Sequence, residues 1–259
     1  MKTDIIISIN VHEKPEYLLN QIENINKHVK LNKKIILNCN DYMLKEMGAR
    51  NIPDVEVFPE AITKRPFHGS LMHGIACNMS HAVNNYNFDY FIVLSSREFF
   101  YRDLTDISQI EECNVVKQTG DVDFRYPNLY VSGNYCEVPG DHANWLGATE
   151  DSDLVNMWWW PKFSRTELYQ HIKKYNMKFA HSMHEGMCFR RDGCDYIMNF
   201  FETNEDIMYE LFDFDGCVEE FALQSIAANH KGFYYLGNGC DTKSLEEVDP
   251  DKFTHKRTR

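Results

Sequence analysis

Hydrophobic positions along this chain alternate between the period of a buried strand and the period of an amphipathic helix. Residues 4–11 (DIIISINV) are a β-branched run suited to a first buried strand. Pro15 then opens a helix in which Leu18, Leu19, Ile22, Ile25 and Val29 share one face. Residues 34–39 (KIILNC) predict a second strand, Leu44 and Met47 a short helix closed by Gly48, and Val55 to Phe58 a third strand. From about Gly69, the residues Leu71, Met72, Ile75, Met79, Ala82 and Val83 recur at helical spacing until Asn84, Asn85 and Asn87 break the pattern. Tyr90 to Leu94 is an unbroken apolar run too short for a helix, as a central strand buried on both faces requires. Such β-α alternation predicts an α/β fold with a mostly parallel central sheet flanked by helices.

Beyond Leu104 the texture changes. Val115-Val116 suits one more strand, and residues 121–156, rich in Gly, Pro, Asn and aromatics, read as short strands and long loops of the kind that carry function. A helix is expected around Leu168 and Ile172, a strand over Met187–Arg190, helices over 192–201 and 216–229, and a last strand over 232–236. No repeat or low-complexity linker divides the 259 residues, so a single domain is expected.

Charge narrows the partners. A net charge of −12 leaves too few clustered cations for general nucleic-acid binding. The one basic cluster is the tail His255-Lys256-Arg257-Thr258-Arg259, read either as a frayed terminus or as a holder of an anionic ligand. Eight scattered cysteines without a CxxC pair favour free thiols over a zinc site or a disulfide framework. A strand that begins by Asp4 leaves no room for a signal peptide. No apolar run approaches the ~18 residues of a membrane span, so a cytoplasmic protein is expected.

Ligands of open α/β sheets bind at the carboxyl ends of the strands, here those closing at Val11, Cys39 and Leu94; Ser95, Ser96, Arg97 and Glu98 follow the last of these. Four blocks in order add a resemblance. Residues 7–14 (ISINVHEK) resemble an opening strand that reads like YSIVVHHK, and residues 70–99 resemble a helix plus a strand ending like INLCGxDFP, here IVLSSREFF. Residues 191–198 (RDGCDYIM) are similar to the stretch after a strand near SRE-YVxYVL, and residues 219–226 (EEFALQSI) look like a PDE-xxxxT segment. Together they resemble the core-2/I-branching β-glycosyltransferase family, which includes the protein O-xylosyltransferases.

The resemblance implies a GT-A fold, inversion at the anomeric carbon, and a nucleotide-sugar donor such as UDP-xylose or UDP-N-acetylglucosamine. It also implies a glycan or glycoprotein acceptor and a mechanism without a metal. Residues 1–104 become the donor-binding half and 105–259 the acceptor-binding and catalytic half. Where the family has an HVD-like triplet, this chain has Asn38-Cys39-Asn40, which puts donor contacts there in doubt. Animal members carry an N-terminal membrane helix that has no counterpart in these residues; a bacterial or viral origin would reconcile the two.

Inverting transfer needs one carboxylate to take the acceptor hydroxyl proton. The resemblance assigns that role to Glu220, with Glu219 beside it; Glu98, Asp192 and Glu185 are the other carboxylates for the role. Val11, His12, Asn38, Asn40, Ser95, Ser96 and Arg97 at the strand ends are expected to meet the donor, and Arg191, Lys252, Lys256 and Arg257 to supply positive charge for the departing diphosphate. Glu98 and the aromatic run Trp158, Trp159 and Trp160 are expected on the acceptor side, where a sugar ring packs on an indole face. The triplets Asp121-Val122-Asp123 and Asp213-Phe214-Asp215 have metal-binding spacing but lie away from the strand end, so both are read as turns or caps. Two other readings stay open: a carbohydrate- or nucleotide-binding protein that kept the fold and lost catalysis, and a nucleotidyltransferase, which requires a carboxylate pair at the strand end that Glu98 alone does not make.

Overall fold

The computed structural model describes residues 2–12, 14–112, 129–131, 165–177, 179–181, 184–242 and 253–257. In chain order β1 (Thr3–Val11), α1 (Pro15–His28), β2 (Lys33–Cys39), α2 (Asp41–Gly48), β3 (Val55–Val57), α3 (Ser70–Asn85) and β4 (Phe88–Leu94) form the alternating half. Then come β5 (Glu98–Phe100), α4 (Ser108–Glu112), β6 (Leu129–Val131), α5 (Glu167–Lys174), β7 (Phe179–His181) and β8 (Met187–Arg190). They are followed by α6 (Arg191–Thr203), α7 (Glu205–Phe212), a 3-10 turn (Val218–Glu220), α8 (Ala222–Ala228), β9 (Tyr234–Tyr235), β10 (Gly237–Thr242) and β11 (Thr254–Arg257).

The main sheet has the order β3-β2-β1-β4-β8-β9. β1, β2, β3 and β4 are parallel, with Ile7 opposite Ile35 and Ile92; β8 runs antiparallel to both β4 and β9. The α/β reading with a mostly parallel sheet flanked by helices therefore holds. Alternation along β1 sends Ile5, Ile7, Ile9 and Val11 to a core shared with α1 and α2, and Ile6 to a core shared with α3, α6, α7 and α8. Two polar residues of β1 on the second face bond to α3: Asn78 Nδ2 donates to Ser8 Oγ at 2.9 Å, and Asn10 Nδ2 donates to the Leu71 carbonyl at 2.7 Å.

Three details depart from the pattern. The turn Ser95–Arg97 reverses β4 directly into β5, and β5 pairs antiparallel with β11 in a small sheet of order β10-β11-β5. Helix α7 was not expected; Asn204, at φ −132° and ψ 60°, separates it from α6, and its anchors Ile207 and Leu211 are too few for the period to show. The helix expected over 216–229 is broken at Phe221, at φ −145° and ψ −27°, whose ring is fully buried. Burial of that ring overrides the local period, so Glu219 and Glu220 stand on a 3-10 turn ahead of α8. Among the described residues no helix is long and apolar enough to cross a membrane. Cys39, Cys77, Cys194 and Cys217 are free thiols. The strand expected at Val115-Val116 and the loops of 121–156 lie outside the described residues.

Candidate functional site

The connections decide where a ligand can enter. From β1 the chain crosses through α1 to β2 and through α2 to β3, moving outward; α3 then carries it back to β4 on the other side of β1. The carboxyl ends of β1 and β4 therefore face a topological switch point, where adjacent loops diverge and leave a crevice. A cleft of about 500 Å³ opens there. His12 and Ser95, Ser96 and Arg97 line it from the two strand ends, and Lys64, Pro66, Phe67 and Leu71 from the segment entering α3. His184 and Glu185 come from the approach to β8, and Cys217, Glu219 and Glu220 from the 3-10 turn.

The turn after β4 is clamped from beneath. Gln21 of α1 donates its amide to the carbonyls of Ser95 and Glu98, each at 2.7 Å. Glu98 Oε2 accepts the Ser95 N–H at 3.0 Å, and its Oε1 accepts the Thr254 hydroxyl. Glu98 is fully buried by these bonds. Its carboxylate holds the floor of the cleft rather than facing an acceptor, which corrects the acceptor-side expectation. On the surface above, Ser96 Oγ lies 3.1 Å from His12 Nε2.

The segment before α3 is knotted. Arg65 donates its backbone N–H to Ser70 Oγ at 2.9 Å and touches His68 Nε2 with its guanidinium, while His68 Nδ1 accepts the Ser70 N–H at 3.0 Å. Burial, then the Arg65 charge, pushes the His68 imidazole below its ordinary value, which suits an accepting ring nitrogen. Gly69 packs so closely on α7 that a Cβ there would lie 1.9 Å from the Leu211 carbonyl oxygen. This knot holds Phe67 at φ +53° with its ring 61% exposed at the cleft. A left-handed backbone at a bulky residue costs roughly 1–3 kcal/mol and tends to occur at functional positions.

Opposite stand three carboxylates. Glu185 and Glu219 are buried, while Glu220 is partly exposed. Their convergence is registered by Cys217, whose thiol is pushed strongly up by its own burial and then by the charges of Glu219, Glu220 and Glu185. His184 Nδ1 lies 3.4 Å from Glu185 Oε2. Gln224 donates its amide to the Glu219 carbonyl at 2.9 Å, which fixes the 3-10 turn on α8.

Of the residues expected at the site, His12, Ser95, Ser96, Arg97, Glu219 and Glu220 meet in this cleft. Others do not. Val11 closes β1 within the core on the α1 side, and Asn38 is fully buried at the end of β2. Asn40 is the N-cap of α2, its side chain accepting the Met43 N–H at 2.9 Å. Arg191 stands at the other end of β4, about 20 Å away for seven residues of strand. There its guanidinium binds the carbonyls of Tyr86 at 2.6 Å and Val83 at 2.8 Å, which makes it a cap for α3 and corrects its donor-side expectation. Asp213 is the C-cap of α7, 3.4 Å from Arg65.

The backbone of Lys256 pairs with Glu98 and that of Arg257 with Thr242, so residues 255–257 of the basic tail are tied into the small sheet with the strand leaving the cleft turn; Thr258 and Arg259 lie outside the described residues. Lys252, Trp158, Trp159, Trp160, Asp121 and Asp123 lie outside the described residues. Sequence reasoning missed Lys64, Phe67 and His184. Only the run Pro66-Phe67-His68-Gly69 carried a signal, that of a turn.

No family model matches this chain, and no curated protein sequence matches it.

Proposed function

We propose that this chain is an inverting glycosyltransferase of the GT-A type that moves a sugar from a nucleotide-sugar donor, UDP-xylose or UDP-N-acetylglucosamine, to a glycan or glycoprotein acceptor. One observation carries the reading. A single cleft at the switch point joins cationic side chains, Lys64 and Arg97, to a cluster of carboxylates from a different part of the chain. Transfer needs both: positive charge where the diphosphate departs, and a base where the acceptor hydroxyl attacks.

Of the three carboxylates Glu220 is the one only partly buried, and it takes the role of base. The acceptor oxygen forms a bond to the anomeric carbon as the bond to the diphosphate oxygen breaks. The acceptor proton passes to the Glu220 carboxylate, and the electron pair stays on the diphosphate. Glu219 and Glu185 line the same cleft beside Glu220, both of them buried. Fixed cations rather than a metal stabilise the leaving group in this reading, so transfer is expected to persist in excess EDTA.

The test is incubation with a panel of UDP-, GDP- and dTDP-sugars and mixed glycan acceptors, read by mass spectrometry for transfer or donor hydrolysis. Turnover with a UDP-sugar supports the proposal; strict dependence on added Mn or Mg overturns its metal-free form. A second reading, a nucleotide- or carbohydrate-binding protein without turnover, draws on Asn38 and Asn40, both spent on internal contacts. Tight donor binding with no product would establish it.

A further inference from the structure

Lys64 is the cation of the cleft that the sequence did not single out, and its surroundings are built around it. It sits between β3 and α3, partly buried on the cleft wall. Its ammonium donates to the Asn38 backbone carbonyl at 2.9 Å and to Asn38 Oδ1. Asn38 is itself completely buried at the end of β2. An ammonium has three donors; Asn38 takes two, and the third is left for whatever occupies the cleft. The stem runs through a slot that a glycine leaves open: a Cβ at Gly74 would lie 3.1 Å from Lys64 Cε and 2.2 Å from Asn10 Oδ1.

No carboxylate pairs with Lys64 among the described residues. Its titratable neighbours are the thiols of Cys39 on β2 and Cys77 on α3, both held neutral by burial, and the imidazole of His73 on α3, which the Lys64 charge helps to push down. Across the cleft stand His12, Arg97, His184 and the three glutamates. A cation taken out of water, anchored by neutral oxygens and left without a counter-ion is costly, and an anionic ligand offsets that cost.

We propose that Lys64 binds the diphosphate group of the ligand in this cleft, with Asn38 as its positioning residue. The inference rests on the glycosyltransferase reading for the identity of the ligand, but the chemistry it names, two linked phosphates, is the same for a nucleoside diphosphate and for inorganic pyrophosphate. Burial lowers the Lys64 pKa to about 8, so the site holds its charge at neutral pH and loses it in mild alkali.

The experiment titrates inorganic pyrophosphate and, separately, UDP into the protein by calorimetry at pH 7 and pH 9.5, with wild type, Lys64→Met and Lys64→Arg. Wild-type affinity for pyrophosphate is expected to fall roughly 10- to 30-fold between the two pH values, relative to Lys64→Arg, whose guanidinium does not titrate. Lys64→Met is expected to bind at least ~10-fold more weakly at pH 7. Equal affinity of Lys64→Met and wild type at pH 7 overturns the proposal. So does a wild-type affinity that changes between pH 7 and 9.5 by the same factor as that of Lys64→Arg, a comparison in which the titration of pyrophosphate itself cancels. Lys64-dependent pyrophosphate binding in a protein that transfers no sugar keeps this inference and sinks the glycosyltransferase reading. Sugar transfer with pyrophosphate affinity unchanged in Lys64→Met does the reverse. UDP binding tighter than pyrophosphate, with the same dependence on Lys64, identifies a nucleoside diphosphate as the source of the group.

Discussion

Two charged clefts open at opposite ends of the same pair of strands, β4 and β8, and they differ in how their charges are compensated. At the amino end of β4, Arg191 pairs with Asp195 at 3.0 Å, Arg190 with Asp192 at 3.6 Å and with Glu111 at 3.8 Å, and Lys231 with Asp192; the Tyr90 hydroxyl donates to Glu111 at 2.7 Å. Each of these charges has an opposite charge from the protein itself, which makes the cleft a salt-bridged surface. At the carboxyl end Lys64 leans on neutral oxygens, and three glutamates crowd one another around Cys217. Lys64 has no carboxylate partner among the described residues, whereas the cations of the other cleft each have one.

The largest effect expected from breaking this contrast is at the base. Glu220→Gln keeps the volume and removes the proton acceptor, and general-base loss lowers turnover by roughly 10²- to 10⁴-fold. Under the proposed reading the base faces the acceptor, so donor affinity should be nearly unchanged. Measured beside it, Glu219→Gln should be the milder change, since Glu219 is buried. A Glu219→Gln protein that is the more damaged of the two reassigns the base.

At the compensated cleft the same kind of change should affect stability alone. Arg191→Met removes two charge-assisted bonds to the carbonyls of Val83 and Tyr86, and should lower unfolding free energy by about 1–3 kcal/mol in urea titration. Ligand affinity at the other end of the sheet should not move. A loss of pyrophosphate or UDP affinity in a folded Arg191→Met protein would show that the two clefts are not independent.

The pH dependence of stability sharpens the contrast further. Lys64 has a pKa of about 8 in the folded chain against 10.5 for an unhindered lysine. Between these values the unfolded chain binds more protons, so this group makes stability rise with pH. Below about 8 both states are protonated and its slope vanishes. The difference between wild type and Lys64→Met should therefore shift in favour of wild type by up to about 3 kcal/mol from pH 8 to 10.5. The comparison also subtracts the buried thiols of Cys39 and Cys77, whose raised pKa values act in the opposite sense over their own range. Parallel stability curves for the two proteins would place the Lys64 ammonium in water instead.

The smallest effect concerns Phe67. Glycine accepts its φ of +53° without strain, and the exposed ring gives up little burial, so Phe67→Gly should raise unfolding free energy by roughly 0.5–1 kcal/mol. If the strained ring serves the cleft, donor or acceptor affinity falls as stability rises. A variant that gains stability with unchanged affinity would show the strain to be incidental to ligand binding.

The apolar runs of β1, β2 and β4 and the stripes of α1 and α3 were legible in the sequence because each element repeats its own period over seven to sixteen residues, and from them followed the parallel sheet and the strand-end location of the cleft. His12, Ser95, Ser96 and Arg97 were readable for the same reason, as residues directly after strands. Tertiary structure alone decided the rest. Pairing β8 antiparallel to β4 brought Glu185 to the cleft and sent Arg191, six residues on in the chain, to the opposite end of the sheet. Burial of the Phe221 ring split the expected helix and turned Glu219 inward. Lys64 sits in a segment without periodicity, and its charge matters only because Asn38, from a strand twenty-six positions earlier, takes two of its donors and Gly74 leaves room for its stem. Periodicity is a property of neighbours along the chain and can be read there. Whether a charge is compensated depends on neighbours across the fold, which no local pattern contains.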